Sequence, residues 1–314
     1  MRLPRVKAEE GPAFYHCVSR VVEGRFIFQT TAGGSVEAEH FVGLMRRLEA
    51  FSGVRVLTYA LMSNHFHLLC QVPPGEPLSE LELLERIEAG YGRQRRQALE
   101  RQLARWAEQA QGASQSQQLL EPYRRRMYDL SSFFKELKGQ FAQWYNRRHE
   151  RYGVLWAERF KSVLLEGGQA VAAVGAYIEL NPVRAGLCAD PKDYRYCGYA
   201  EALAKGSVVA QGGIRTLLAE PATLCWKEVS RRYRQYLSSR AVQGVRARGG
   251  PLSWAELSRW LSSNRANSPW PNAYAAGSAT SAMGSSWGAR ALWRPTSTGW
   301  SKSWLTSAGV PLHL

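Results

Sequence analysis

Between residues 14 and 72 the chain changes its hydrophobic period three times, and that order restricts the fold more than any other feature. Residues 14–20 interleave aromatic and β-branched side chains with polar ones, the pattern of a strand. Residues 36–51 place Phe41, Leu44, Met45 and Leu48 at helical spacing. Residues 55–61 are strand-like again. Ser63-Asn64 then forms a turn signal, and residues 65–72 read as a second strand, so these two segments form a hairpin. The predicted order is strand, helix, strand, strand.

The remainder is less regular. Pro73 to Pro77 interrupts the pattern, and the polar stretch from Leu78 to about Gln118 reads as a helical insertion, placed at about 78–127. Its Gln/Ser end, residues 112–118, is expected to be a flexible loop. Residues 131–148 form a helix capped by Ser131 or Ser132, with Phe133, Phe134, Leu137, Phe141, Trp144 and Tyr145 in one stripe. Its other face carries Lys135, Lys138, Arg147 and Arg148. A short strand over 160–165 follows, then a helix over 169–180 that stops at Pro182. Residues 1–200 are therefore read as one unit, which the resemblance given below makes the catalytic domain. Residues 201–263 form a basic accessory region with a helix over 226–237. Residues 264–314 form an irregular tail without Asp or Glu. A disordered or frameshifted C-terminus accounts for that composition.

Charge narrows the class of partner. Lys and Arg number 41 against 26 for Asp and Glu, a formal net charge of +15. Such an excess favours a polyanion, because phosphate contacts release condensed counterions. RNA, DNA and an anionic membrane surface all satisfy that sign. No apolar run approaches the ~20 residues of a membrane helix, and the N-terminal stretch has no apolar core of a secretory signal. Five scattered cysteines, with no C-x-x-C pair, read as reduced thiols in the cytoplasm.

Three constellations carry chemistry. His65-Phe66-His67 on a strand points both imidazoles to one face, where they can grip one metal ion. Two half-exposed histidines on an edge strand fit the same pattern. Tyr177 and Asn181 stand four apart and share a helix face. They also fit a packed aromatic and a helix cap. Arg159 and Lys161 alternate with Phe160 just after Trp156, a pattern for meeting phosphates and stacking on an unpaired base. Trp156 equally suits a core plug.

Taken together and in this order, the blocks resemble the IS200-like single-tyrosine (HUH-type) transposases, and within them the REP-associated tyrosine transposases. The resembling residues are FYHCVSR at 14–20, YALMSNHFHLL at 59–69, GVLW at 153–156 with Arg159-Phe160-Lys161, and YIELNPVRAGL at 177–187. They span roughly residues 10–200. Ser63, the length of the insertion and the residues after about 250 depart from the family's usual form.

The resemblance implies an α+β fold with a ferredoxin-like core and an antiparallel sheet, to which the chain's own pattern adds the helical insertion and a small C-terminal helical region. It implies Tyr177 as nucleophile, and His65, His67 and Asn181 as ligands of Mg²⁺ or Mn²⁺. The expected activity is nicking and joining of single-stranded or hairpin (REP-like) DNA through a 5′-phosphotyrosine. The expected location is the cytoplasm, in association with the nucleoid, as monomer or homodimer. Trp156, Arg159, Lys161, Lys135, Lys138, Arg147 and Arg148 are the expected DNA contacts. Two rival readings are a non-catalytic nucleic-acid binder descended from a transposase and a metal-dependent nuclease that uses water.

Overall fold

The structure is a computed structural model and describes residues 11–28, 34–109, 111–204 and 207–248. Strand β1 (Ala13–Arg20) leads to helix α1 (Val36–Ser52). The hairpin β2 (Arg55–Met62) and β3 (His65–Val72) comes next. Three helices follow, α2 (Glu80–Tyr91), α3 (Arg93–Trp106) and α4 (Gly112–Arg124), and then the long α5 (Leu130–Arg148) and strand β4 (Lys161–Leu165). The chain continues through α6 (Gly168–Glu179), α7 (Asn181–Arg184), α8 (Gly198–Leu203), α9 (Val208–Leu218) and α10 (Trp226–Arg248). The sheet order is β2-β3-β1-β4 and its recorded pairs are antiparallel. With α1 and α5 as crossovers, this is the strand-helix-strand-strand-helix-strand arrangement of a ferredoxin-like core. The α+β expectation holds.

Strand alternation gives the sheet two different faces. On one, Phe66 of β3 packs 4.9 Å from Phe41 of α1 and 6.2 Å from Phe134 of α5, between ring centroids. Phe28, Phe41, Phe133, Phe134 and Phe141 fill this layer and are almost wholly buried. Each such side chain contributes ~1.5–3 kcal/mol on burial. His65 and His67 point to the opposite face, which α6 covers. Ala210, Ile214, Leu217, Val229, Tyr233 and Leu237 of α9 and α10 join the same core.

The insertion α2–α4 has a smaller core of its own, in which Leu83, Leu84, Ile87, Leu99, Leu103, Leu120 and Tyr123 pack on Phe51 of α1. Arg126 ties it to the main body. Its guanidinium stands 5.1, 5.4 and 4.7 Å from the rings of Phe51, Tyr91 and Tyr123, and it pairs with Glu136 at 2.9 Å.

Four local expectations change. Residues 112–118 are helical rather than a loop, because Leu120 and Tyr123 on the next turn of α4 bury themselves in the insertion core and organise the polar turn before them. The cap of α5 is Asp129, whose carboxylate accepts from the Ser132 amide at 2.6 Å, so the helix already includes Leu130. Pro182 does not merely stop α6. It sits in the first turn of α7, where a proline's missing N–H costs nothing. Helix α10 runs on to Arg248, well past residue 237. The tail at 264–314 lies outside the described residues.

Helix α6 is fastened to β2 by a buried polar contact. The Thr58 hydroxyl donates to the carboxyl of Glu179, which is wholly inaccessible to solvent. Burial pushes Glu179 up to about 7, against the opposing effect of the Thr58 hydrogen bond to Oε1, while its other carboxyl oxygen, Oε2, is buried without a hydrogen-bond partner. Two glycines permit the surrounding close packing. A Cβ on Gly198 would stand 2.2 Å from Thr58 Oγ1, and one on Gly213 would stand 2.2 Å from the Leu57 carbonyl oxygen.

Two outcomes follow for stability. Gly213→Ala forces helix α9 off a backbone atom that cannot yield, and should cost ~1–3 kcal/mol in denaturant unfolding. Glu179 binds its proton more tightly folded than unfolded, so its contribution is full below about 4.5 and is lost as pH rises to about 7. Glu179→Gln should remove that part of the pH dependence, worth up to ~3 kcal/mol. An unchanged slope between those pH values would show that Glu179 does not titrate there.

Candidate active site

The site lies on the sheet face that α6 covers, and its floor comes from strand register. Residues paired directly across antiparallel strands project to the same face. Arg20 pairs with His65, Val18 with His67, and Lys161 of β4 with Val18. Arg20, His65, His67, His16 and Lys161 therefore project from one surface. His16 and His67 are buried at 1% and 7% exposure, His65 is half-buried and Arg20 is exposed.

The three imidazoles form a chain. His65 and His67 ring centroids are 5.1 Å apart, and those of His16 and His67 are 5.2 Å apart. His16 Nε2 and His67 Nδ1 meet at 3.0 Å. His65 Nδ1 meets the Asn64 carbonyl oxygen Oδ1 at 2.7 Å. That oxygen only accepts, so His65 Nδ1 carries the hydrogen and Nε2 keeps its lone pair. Burial lowers His16 to about 3 and His65 to about 4, the latter helped by Arg20. His67 is held well below its ordinary value by burial, then by His16, His65 and Arg20. All three rings are neutral near pH 7, the state in which imidazole binds metal.

Tyr177 forms the roof. It is half-buried on α6, and its ring centroid lies 6.1 Å from His67 and 6.2 Å from His16. Asn181, one turn on, donates from Nδ2 to the Tyr177 carbonyl at 3.1 Å. This leaves its amide oxygen Oδ1 as the ligand-type atom. Arg184 Nη1 donates to the same carbonyl at 3.1 Å, and its guanidinium carbon lies 5.0 Å from the Tyr177 ring centroid. Tyr177 is thus held between a cation and neutral imidazoles.

The donor set suits a divalent ion in kind. It comprises two neutral imidazoles, each with one ring nitrogen occupied by a neighbour, and an amide oxygen. Among the described residues no three His, Cys, Asp or Glu side chains cluster to hold an ion. The Asn181 amide oxygen is a donor of a further type, one that hard divalent ions accept.

The other expected site residues divide. Lys161 shares the site face and pairs with Glu158 at 2.8 Å, and Arg159 is exposed beside it. Lys135, Arg147 and Arg148 are exposed on α5, in the layer on the far side of the sheet from Tyr177. Arg148 approaches Glu37 at 3.4 Å. Lys138 is buried, its ammonium donates to the Glu158 carbonyl at 2.6 Å, and burial lowers it to about 8. The Trp156 indole donates to the Lys138 carbonyl at 2.9 Å and packs 5.5 Å from Phe66. Trp156 and Lys138 thus direct their polar groups into the protein.

Sequence reasoning passed over His16, Arg20 and Arg184 as site residues. Alternation along residues 14–20 would have placed His16 and Arg20 on one face, but not opposite β3. Arg184 lies seven residues beyond Tyr177, two helical turns on the same side.

Among the described residues no helix is long and apolar enough to cross a membrane. No family model and no curated protein matches the chain. A solved structure described as a REP-associated tyrosine transposase bound to a REP hairpin aligns with 66% of this chain and 87% of its own, at 14% identity and a TM-score of 0.40. That likeness is distant, and the functional reading rests on the site itself.

Proposed function

We propose that this chain nicks and rejoins single-stranded DNA at hairpin structures, as a transposase-like enzyme with Tyr177 as nucleophile. The observation that carries the reading is the placement of the Tyr177 ring against the buried, neutral His67 and His16, with His65 beside them on the same sheet face. A tyrosine kept only for packing needs no polar floor of this kind. The motif resemblance over residues 14–187 supports the same reading.

In the reaction, the Tyr177 phenolic oxygen bonds to phosphorus, and the bond from phosphorus to the leaving 3′ oxygen breaks. The phenol's proton is lost and the leaving oxygen gains one, giving a free 3′-hydroxyl and a 5′-phosphotyrosine. The ester retains the energy of the phosphodiester, so rejoining needs no nucleotide. His65, His67 and Asn181 would hold Mg²⁺ or Mn²⁺, which when bound would supply a Lewis acid for the phosphate oxygens. His16 holds His67 in its ring orientation, and Asn64 does the same for His65. Lys161 and Arg159 guide the strand along the β4 edge. Lys135, Arg147 and Arg148 are placed to meet a duplex stem on the outer layer, whereas Trp156 and Lys138 serve the fold.

The test is covalent trapping. Labelled hairpin DNA from repeats flanking the gene is mixed with protein and Mn²⁺ or EDTA, then run on a denaturing gel. A labelled protein band is expected with metal only, and none with Tyr177→Phe. Cleavage that persists in that variant would replace this reading with a water-using nuclease. Tight binding without adduct or cleavage would replace it with a binder. His16→Ala should raise the Mn²⁺ needed for half-maximal adduct by ~10–100-fold, as expected when an outer partner of a ligand is lost.

A further inference from the structure

We propose that Arg20 and Arg184 form a two-guanidinium clamp that takes the backbone phosphates of single-stranded DNA on either side of Tyr177. The inference rests on the strand-transfer reading of the site and assigns the charge that brings DNA to it.

The two arginines approach the site from different layers. Arg20 ends β1, faces His65 directly across the strand pair, and is exposed on the floor. Arg184 ends α7 in the roof, with its guanidinium over the Tyr177 ring. One cation therefore lies beside the two imidazoles and the other beside the phenol, the two groups between which a phosphate must fit if Tyr177 is to attack it.

The chemistry of the surroundings calls for such a pair. Of the cations on the floor, Lys161 pairs with Glu158 at 2.8 Å, and Arg20 stands at the His65 end of the sheet. A phosphodiester entering a partly buried site gives up hydration, and fixed cations compensate for that loss. Guanidinium suits the role better than ammonium. Its planar fork offers five N–H donors, so the bond from Arg184 to the Tyr177 carbonyl is compatible with a grip on phosphate oxygens. That bond also fixes the fork next to the nucleophile, so little freedom is lost when the phosphate arrives.

The test avoids both metal and cleavage. Binding of a labelled thymidine-only single strand is measured in EDTA over a series of salt concentrations, with wild type, Arg20→Gln and Arg184→Gln. Each lost phosphate contact should weaken binding several-fold at low salt and reduce the slope of log affinity against log salt by ~0.7. Arg20→Lys and Arg184→Lys, which keep the charge, should restore most of the slope. As a check in the unaltered protein, DNA should protect both arginines from a dicarbonyl reagent, read by mass spectrometry. An unchanged slope in a Gln variant that melts like wild type, or modification of either arginine undiminished by DNA, overturns the clamp for that residue. Neither result depends on Tyr177. Loss of the adduct assignment with an altered salt slope would sink strand transfer and keep the clamp, and the reverse pattern would do the opposite.

Discussion

The hydrogen bond from Thr58 to the buried carboxyl of Glu179 is the contact on which the rest of the site depends. It lies two residues before Asn181 and two after Tyr177, and it sets both the height and the rotation of α6 over the sheet. Leaving a buried carboxyl without partners is costly, so the helix has few alternative seats. Gly198 and Gly213 allow α8 and α9 to close on the same strand, at the spacing that keeps this carboxyl away from water. The tyrosine is therefore aimed by a polar contact that itself takes no part in chemistry.

The sheet separates two kinds of work. The face toward α1 and α5 is a layer of packed phenylalanines closed to solvent. The face toward α6 holds neutral imidazoles and a phenol, with cations at its edge. A site of this kind presents lone pairs inside and positive charge outside. That arrangement suits a substrate that is a polyanion at long range and a single phosphate at short range. The insertion α2–α4 stands apart, with its own small core and an arginine wedged among aromatic rings, and it contributes no residue to the imidazole floor.

Much of this was legible in the chain. The change of period from 2 to 3.6 and back located β1, α1 and the hairpin to within a residue or two, because those segments bury one face each and the pattern records it. The His-x-His spacing was enough to put both rings on one face. The Tyr177 to Asn181 spacing was enough to stack them on one turn. Short-range signals failed where a tertiary contact outweighed them. The Gln/Ser stretch at 112–118 is helical because Leu120 and Tyr123, a turn later, have a core to enter. Lys138 looked like a surface cation from its neighbours, yet it is enclosed and bonded to a carbonyl.

By itself the sequence determined the composition of the site and the local geometry within each element: which residues share a strand face, which share a helix turn, and the sign of the charge around them. Only the tertiary structure decided which elements face each other. The pairing of β1 with β3 set His16 and Arg20 beside His67 and His65. The docking of α6 on β2 brought Tyr177 over them. It also decided that the basic helix α5 lies on the opposite layer from Tyr177. The physical reason is that periodicity is a property of one segment and its solvent exposure. Register and layer order come from long-range burial and hydrogen bonding, summed over segments that are far apart in the chain.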